Sequence, residues 1–177
     1  MLELRSESFE VLLDSKRIER ILMRMAHQIA ELTTGDPLTL VGLNERGLAL
    51  AHGIREEMQR FGLGRTQLVS MTVDGDPGLD APIRNANSSL VIVDDVIFSG
   101  GTMFRALRSI PSIDEFKRVL TCVLVDRGHR RWPVHSSVTG LEMPTKAGEH
   151  VHVELRHDEN GTAQIERVCL EFESGWE

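Results

Sequence analysis

The chain has 177 residues, 41% hydrophobic and 27% charged, with 20 basic against 27 acidic side chains and a formal net charge of −7. That balance suits one globular domain, expected over residues 1–177, and disfavours a non-specific nucleic-acid binder. No apolar run nears the roughly 20 residues that span a bilayer, and Met1 to Glu10 lacks the apolar core of a secretory signal. Cys122 and Cys169 have no metal-ligand spacing, so a reduced, cytoplasmic protein with no membrane partner is expected.

Leu12-Leu13-Asp14 predicts a short edge strand running into a helix, with Asp14 or Ser15 as N-cap and Glu19 placed for a weak capping contact. Ile18, Ile21, Leu22, Met25, Ile29 and Leu32 recur at helical spacing. Arg17, Arg20 and Arg24 lie on the other side. A solvated face explains them more readily than an RNA-contacting stripe. Thr33 to Pro37 ends the helix.

Residues 38–43 read as a strand buried on both faces, which breaks at Asn44-Glu45-Arg46-Gly47 before a helix over 48–60. Such a turn lies at the carboxyl edge of an α/β sheet, where these folds bind ligands, and Arg46 offers an anion a fork of donors. Residues 67–73 form the next strand. Residues 74–82 read as a loop, either a mobile flap or a plain surface connection, with Arg84 its only cation.

The most informative stretch is Leu90-Val91-Ile92-Val93-Asp94-Asp95-Val96-Ile97-Phe98-Ser99-Gly100-Gly101-Thr102. A doubly buried strand is followed by two carboxylates, a small-residue loop and a helix over 103–110. Ser99, Gly100, Gly101 and Thr102 can turn backbone N–H groups to one point, at the positive end of the helix dipole, which suits a phosphate. Asp94 and Asp95 would repel a phosphate. They suit hydroxyl donors or Mg²⁺. A ribose 5-phosphate satisfies both halves. No other phosphate motif, neither Gly-x-x-x-x-Gly-Lys-Ser/Thr nor Gly-x-Gly-x-x-Gly, occurs in the chain.

Residues 118–125 predict another buried strand, stopping at the donor-rich loop Asp126-Arg127-Gly128-His129-Arg130-Arg131-Trp132-Pro133. Residues 141–145 suggest a short hood element. Residues 150–155 alternate as a half-buried strand whose polar face holds His150, His152 and Glu154, where a wet face is a better explanation than a metal site. Asn160-Gly161 marks a hairpin turn into residues 164–172. Alternating strands and helices imply α/β architecture: a central parallel sheet flanked by helices, with antiparallel edge strands at the end.

The acidic pair and glycine loop resemble the phosphoribosyl-pyrophosphate motif of type I phosphoribosyltransferases. Leu124 to Val134, Val41-Gly42-Leu43 with Arg46-Gly47, and Met143-Pro144-Thr145 resemble one branch, the bifunctional pyrimidine operon attenuator and uracil phosphoribosyltransferase family. The resemblance runs from about Leu13 to about Leu155 and is poor over residues 74–89.

It implies a type I phosphoribosyltransferase fold with a small C-terminal hood. It also implies phosphoribosyl transfer from phosphoribosyl pyrophosphate to uracil, giving UMP and pyrophosphate. Asp94 and Asp95 would hold the ribose diol and Mg²⁺. Ser99, Gly100, Gly101 and Thr102 would cradle the 5-phosphate. Asn44, Glu45, Arg46 and Gly47 would form the pyrophosphate loop, and Asp126 and Arg127 would lie near the base. A homodimer or higher homo-oligomer and an RNA partner are further implications.

Two departures stand out. The motif reads Ser-Gly-Gly-Thr where the family commonly has Thr-Gly-Arg-Thr, and the flap is short and acidic, with Asp74, Asp76 and Asp80. The short acidic flap favours one alternative, a UMP- or phosphoribosyl-pyrophosphate-binding regulator with weak or no turnover; the hood residues do not read out specificity, which leaves open a transferase for another base.

Overall fold

The structure, a computed structural model, describes residues 8–63, 66–75, 77–83, 87–146 and 148–172. Arg84 and Asp76 lie outside the described residues. Among those residues no helix is long and apolar enough to cross a membrane.

The principal sheet contains β2 (Leu38–Leu43), β3 (Thr66–Thr72), β4 (Gly78–Leu79), β5 (Ser89–Ile97), β6 (Arg118–Asp126) and β7 (Val138–Glu142). Its order is β4-β3-β2-β5-β6-β7, parallel throughout except for β4. The central strands carry apolar side chains on both faces because both faces are covered. Val91 and Val93 of β5 join Met25 and Ile29 of α1 (Ser15–Thr33) and Ile54 and Met58 of α2 (Asn44–Arg60). Leu90 and Ile92 join Met103, Ala106 and Ile110, in and just after α3 (Gly101–Ser109).

A second, antiparallel sheet runs β1-β9-β8, from β1 (Ser8–Leu13), β8 (Glu149–His157) and β9 (Ala163–Phe172). Val153 and Val168 tie it to the α1/α2 core. The expected hairpin is present: Asp158 Oδ1 accepts from Asn160 N at 2.9 Å and from Thr162 N at 2.8 Å.

Local chemistry fixes the ends of α1. Asp14 Oδ1 accepts from Arg17 N at 2.8 Å, and Thr34, at φ 47°, donates its N–H to Ala30 O at 3.0 Å. Arg24 is not simply solvated: its guanidinium donates to the carbonyls of Thr139 (3.2 Å) and Gly140 (2.5 Å), pinning α1 to β7.

Two expectations need correction. The segment 44–47 is the first turn of α2, not a loop before it. Gly42 and Gly47 make that abrupt entry feasible: a Cβ at Gly42 would meet Leu48 Cα at 2.4 Å, and one at Gly47 would meet Val93 O at 2.5 Å. The proposed hood element at 141–145 begins as strand: Leu141 and Glu142 end β7, pairing parallel with Val125 and Asp126. Only residues 143–145 run beyond it. The antiparallel β1-β9-β8 sheet supplies the antiparallel strands expected at the end of the chain.

Candidate active site

The carboxyl ends of β2, β5 and β6 lie side by side, because Gly42 pairs with Val93 and Ile97 with Asp126. Asn44, the acidic pair and Asp126-Arg127 therefore share one sheet edge, as ligand sites in open α/β folds do.

Strand β5 continues through Asp94 and Asp95 to Ile97, two residues further than the acidic pair. Asp94 is buried, with 7% of its surface exposed. Its Oδ1 accepts from the backbone N of Asp95 at 3.1 Å. Burial first, then repulsion from Asp95, raises its carboxyl well above the ordinary 3.8. Asp95 is also raised by burial, opposed by its hydrogen bonding with Asp94 and by the charge of Arg46. Two neighbouring carboxyls, both raised by burial, gain from hydroxyl donors or a cation.

After Ile97 the chain turns sharply. Gly100 sits at φ 82°, where a side chain would strain the backbone. No side chain caps α3, and its first internal bond runs from Phe104 N to Gly100 O at 2.9 Å. The amides of Thr102 and Met103 precede that bond, so they are the helix's free donors. Gly101 N makes only a 3.4 Å contact with Ser99 Oγ. The loop is clamped from outside by Arg131 N and Trp132 N, both donating to Ser99 O at 3.0 Å.

Asn44 takes φ 51°. Its Oδ1 accepts from Val73 N (3.1 Å) and its Nδ2 donates to Asp74 Oδ2 (3.3 Å), so it ties the α2 entry to the end of β3. Glu45 reaches His157 Nε2 at 2.9 Å, and Arg46 Nε donates to Val153 O at 2.9 Å. Both bind the first turn of α2 to the small sheet. Gly47 lets that turn press against Val93 and Asp94.

Asp126 and Arg127 are largely committed within the chain. Asp126 Oδ1 accepts from Gly128 N at 2.8 Å and its Oδ2 pairs with Arg130. Arg127 donates to Thr145 Oγ1 at 2.9 Å and to Glu149 O, and its guanidinium lies 4.5 Å from the Phe98 ring centroid. Burial lowers its pKa from the ordinary arginine value.

Sequence reasoning passed over two residues of this edge. Arg130 holds the 126–134 loop together through the carbonyls of Val134 (2.9 Å), Phe98 (2.7 Å) and Gly128 (3.0 Å). Trp132 stacks on Phe104 of α3 with centroids 4.5 Å apart. An aromatic at a loop end was the only hint of the second.

The acidic flap segment is partly a strand edge. Asp80 Oδ1 accepts from Ser70 N at 2.8 Å, and Asp80 N donates to Ser70 O at 3.0 Å. That carboxylate is spent on β3. Asp74 contacts Arg105 of α3 at 3.4 Å, and its charge also raises Asp94. His150, His152 and Glu154 do not converge: His152 meets Glu171, Glu154 meets Arg167 at 2.6 Å, and no metal-binding group of three or more acidic, His or Cys side chains exists among the described residues.

Residues 8–160 match the family model described as a phosphoribosyl transferase domain. The chain is 32% identical over 173 residues to the "Bifunctional protein PyrR" of Caldicellulosiruptor saccharolyticus, covering 90% of this chain and 95% of that one. It is 32% identical over 176 residues to the protein of the same name from Bacillus pumilus, covering 90% and 98%. Among solved structures, a hypoxanthine phosphoribosyltransferase of Trypanosoma cruzi superposes with TM-score 0.68 at 15% identity, over 91% of this chain and 95% of that one. A hypoxanthine-guanine phosphoribosyltransferase of Bacillus anthracis gives 0.66 at 15% identity, over 77% and 85%. The structural matches carry the fold, the sequence matches carry the branch, and the chain belongs to the phosphoribosyltransferase family as a PyrR-type member.

Proposed function

We propose that this edge binds phosphoribosyl pyrophosphate and transfers its ribosyl phosphate to uracil, with release of pyrophosphate. The observation that carries the reading is the succession on β5 and α3: a buried Asp94 raised by burial and by Asp95, a half-buried Asp95 beside it, then a left-handed glycine and an uncapped helix start. Asp94 and Asp95 accept hydrogen bonds from the ribose diol. The amides from Ser99 to Thr102 hold the 5-phosphate. Arg46 faces the pyrophosphate from the first turn of α2, held in place by Val153 O.

The C1–pyrophosphate bond breaks as a uracil nitrogen forms the new C1–N bond. The electron pair leaves with pyrophosphate, and the uracil N–H proton passes to solvent. The ribosyl centre becomes cation-like between the two partners. It needs positioning and charge stabilisation rather than a protein nucleophile.

Mg²⁺ fits the donor set. Two neighbouring carboxylates with raised pKa values gain from a hard cation, and Mg²⁺ normally takes one or two protein carboxylates with substrate oxygens completing its shell. It would neutralise the leaving pyrophosphate.

A second reading, a nucleotide-binding regulator acting on RNA with little turnover, draws support from Asp74, whose charge lies close enough to burden Asp94. The base is the open element, since Asp126 and Arg127 are bonded within the chain. A panel of purines and pyrimidines with phosphoribosyl pyrophosphate and Mg²⁺, assayed for pyrophosphate release, tests all three. Uracil-dependent release that is lost in Asp95→Asn supports transfer. UMP binding without any product selects the regulator, and release with another base moves the specificity.

A further inference from the structure

The phosphate loop lacks a side-chain donor at Gly101, and a donor from another element stands beside that gap. A Cβ built on Gly101 would lie 3.5 Å from Trp132 Nε1 and 3.6 Å from Trp132 Cδ1. The indole is fixed there from two directions. Its ring stacks on Phe104 at 4.5 Å and 16°, and its backbone N–H is bonded to Ser99 O at 3.0 Å. Trp132 also covers Gly100, whose added Cβ would meet Trp132 O at 3.5 Å.

Among the described residues, no group accepts a hydrogen bond from Nε1, although the backbone N–H and the ring face of Trp132 are both engaged. The side chain is 39% exposed, so an anion in the loop can reach it. An indole nitrogen only donates, which matches a phosphate oxygen.

We infer that Trp132 is a phosphate-binding residue. Its indole N–H completes the backbone cradle of residues 99–102 and occupies the place of a side chain that Gly101 cannot supply. The inference rests on the phosphate reading above. It assigns to the 126–134 loop a direct hand in holding the sugar phosphate, beyond any contact with the base.

The test uses the full chain labelled with ¹⁵N-tryptophan and titrated with ribose 5-phosphate, with calorimetry in parallel. The chain has two tryptophans, Trp132 and Trp176, so either Trp132→Phe or Trp176→Phe assigns the resonances. The Trp132 indole N–H signal should move downfield to saturation with ribose 5-phosphate and stay still with ribose. Trp132→Phe, which keeps an aromatic ring against Phe104, should weaken ribose 5-phosphate about tenfold or more, as befits a hydrogen bond to a charged group.

A Trp132 signal that stays still while calorimetry records wild-type binding overturns the inference and leaves the phosphate site standing. Wild-type protein that binds no ribose 5-phosphate overturns both. Should Trp132→Phe fail to fold, the wild-type resonance still decides.

Discussion

At the scale of single residues, the buried Asp94 makes stability depend on pH. Its carboxyl is raised by burial, so between the ordinary 3.8 and its folded value the native chain holds a proton that the unfolded chain has lost. The unfolded state binds fewer protons there, and stability falls as pH rises through that window. Asp94→Asn removes this slope while keeping an oxygen for Asp95 N. It should melt higher than wild type at pH 7, by about 2–4 °C for each kcal/mol relieved, yet lose sugar-phosphate binding. Thermal denaturation across a pH series, with ligand titration, reads both. Gly47→Ala should do the reverse of stabilise: a Cβ 2.5 Å from Val93 O forces α2 off β5, at about 1–3 kcal/mol, measurable by denaturant titration.

The acidic pair was legible in the sequence because two charges directly after a buried apolar run have no packing use. The roles of Trp132 and Asn44 were not. Each depends on a partner about 30 residues away, Phe104 for one and Val73 for the other, and no local pattern marks such a meeting.

At the scale of elements, the unit that matters is β5, its loop and α3. The loop works only if Gly100 keeps φ 82°. An alanine there meets no clash, its nearest atom being Trp132 O at 3.5 Å, so the penalty is backbone strain of about 1–2 kcal/mol. Gly100→Ala should fold, melt lower, and bind ribose 5-phosphate more weakly than wild type by calorimetry. For α1, Asp14→Ala removes the bond to Arg17 N and should cost about 1 kcal/mol in denaturant titrations without touching ligand affinity.

Apolar patterning marked α1, β2, β5 and β6 correctly, because α1 buries one stripe and the three strands are covered on both faces. It missed the start of α2, since Asn44-Glu45-Arg46-Gly47 looks polar and loop-like until Gly47 is seen to press against β5. It also missed β7, whose residues resemble a loop extension and become strand by pairing with β6.

At the scale of the whole molecule, the parallel sheet sets the site and the small antiparallel sheet steadies one side of it. Arg46 to Val153 O and Glu45 to His157 join the α2 entry to β8, while Arg127 reaches Glu149 O from the opposite loop. The β1–β9 pairing that completes that sheet links residues some 160 positions apart, beyond what any local signal could announce. Because ligand binds only the folded edge, saturating phosphoribosyl pyrophosphate at a hundredfold its Kd should add about 2.7 kcal/mol of stability.

The most direct test is calorimetric titration of phosphoribosyl pyrophosphate, with Mg²⁺, into wild type and Asp95→Asn. The account predicts saturable binding by wild type and at least about tenfold weaker binding by a fully folded Asp95→Asn, as the loss of charge-assisted hydrogen bonds requires. Equal affinity for the two proteins, or no binding by wild type, would contradict it.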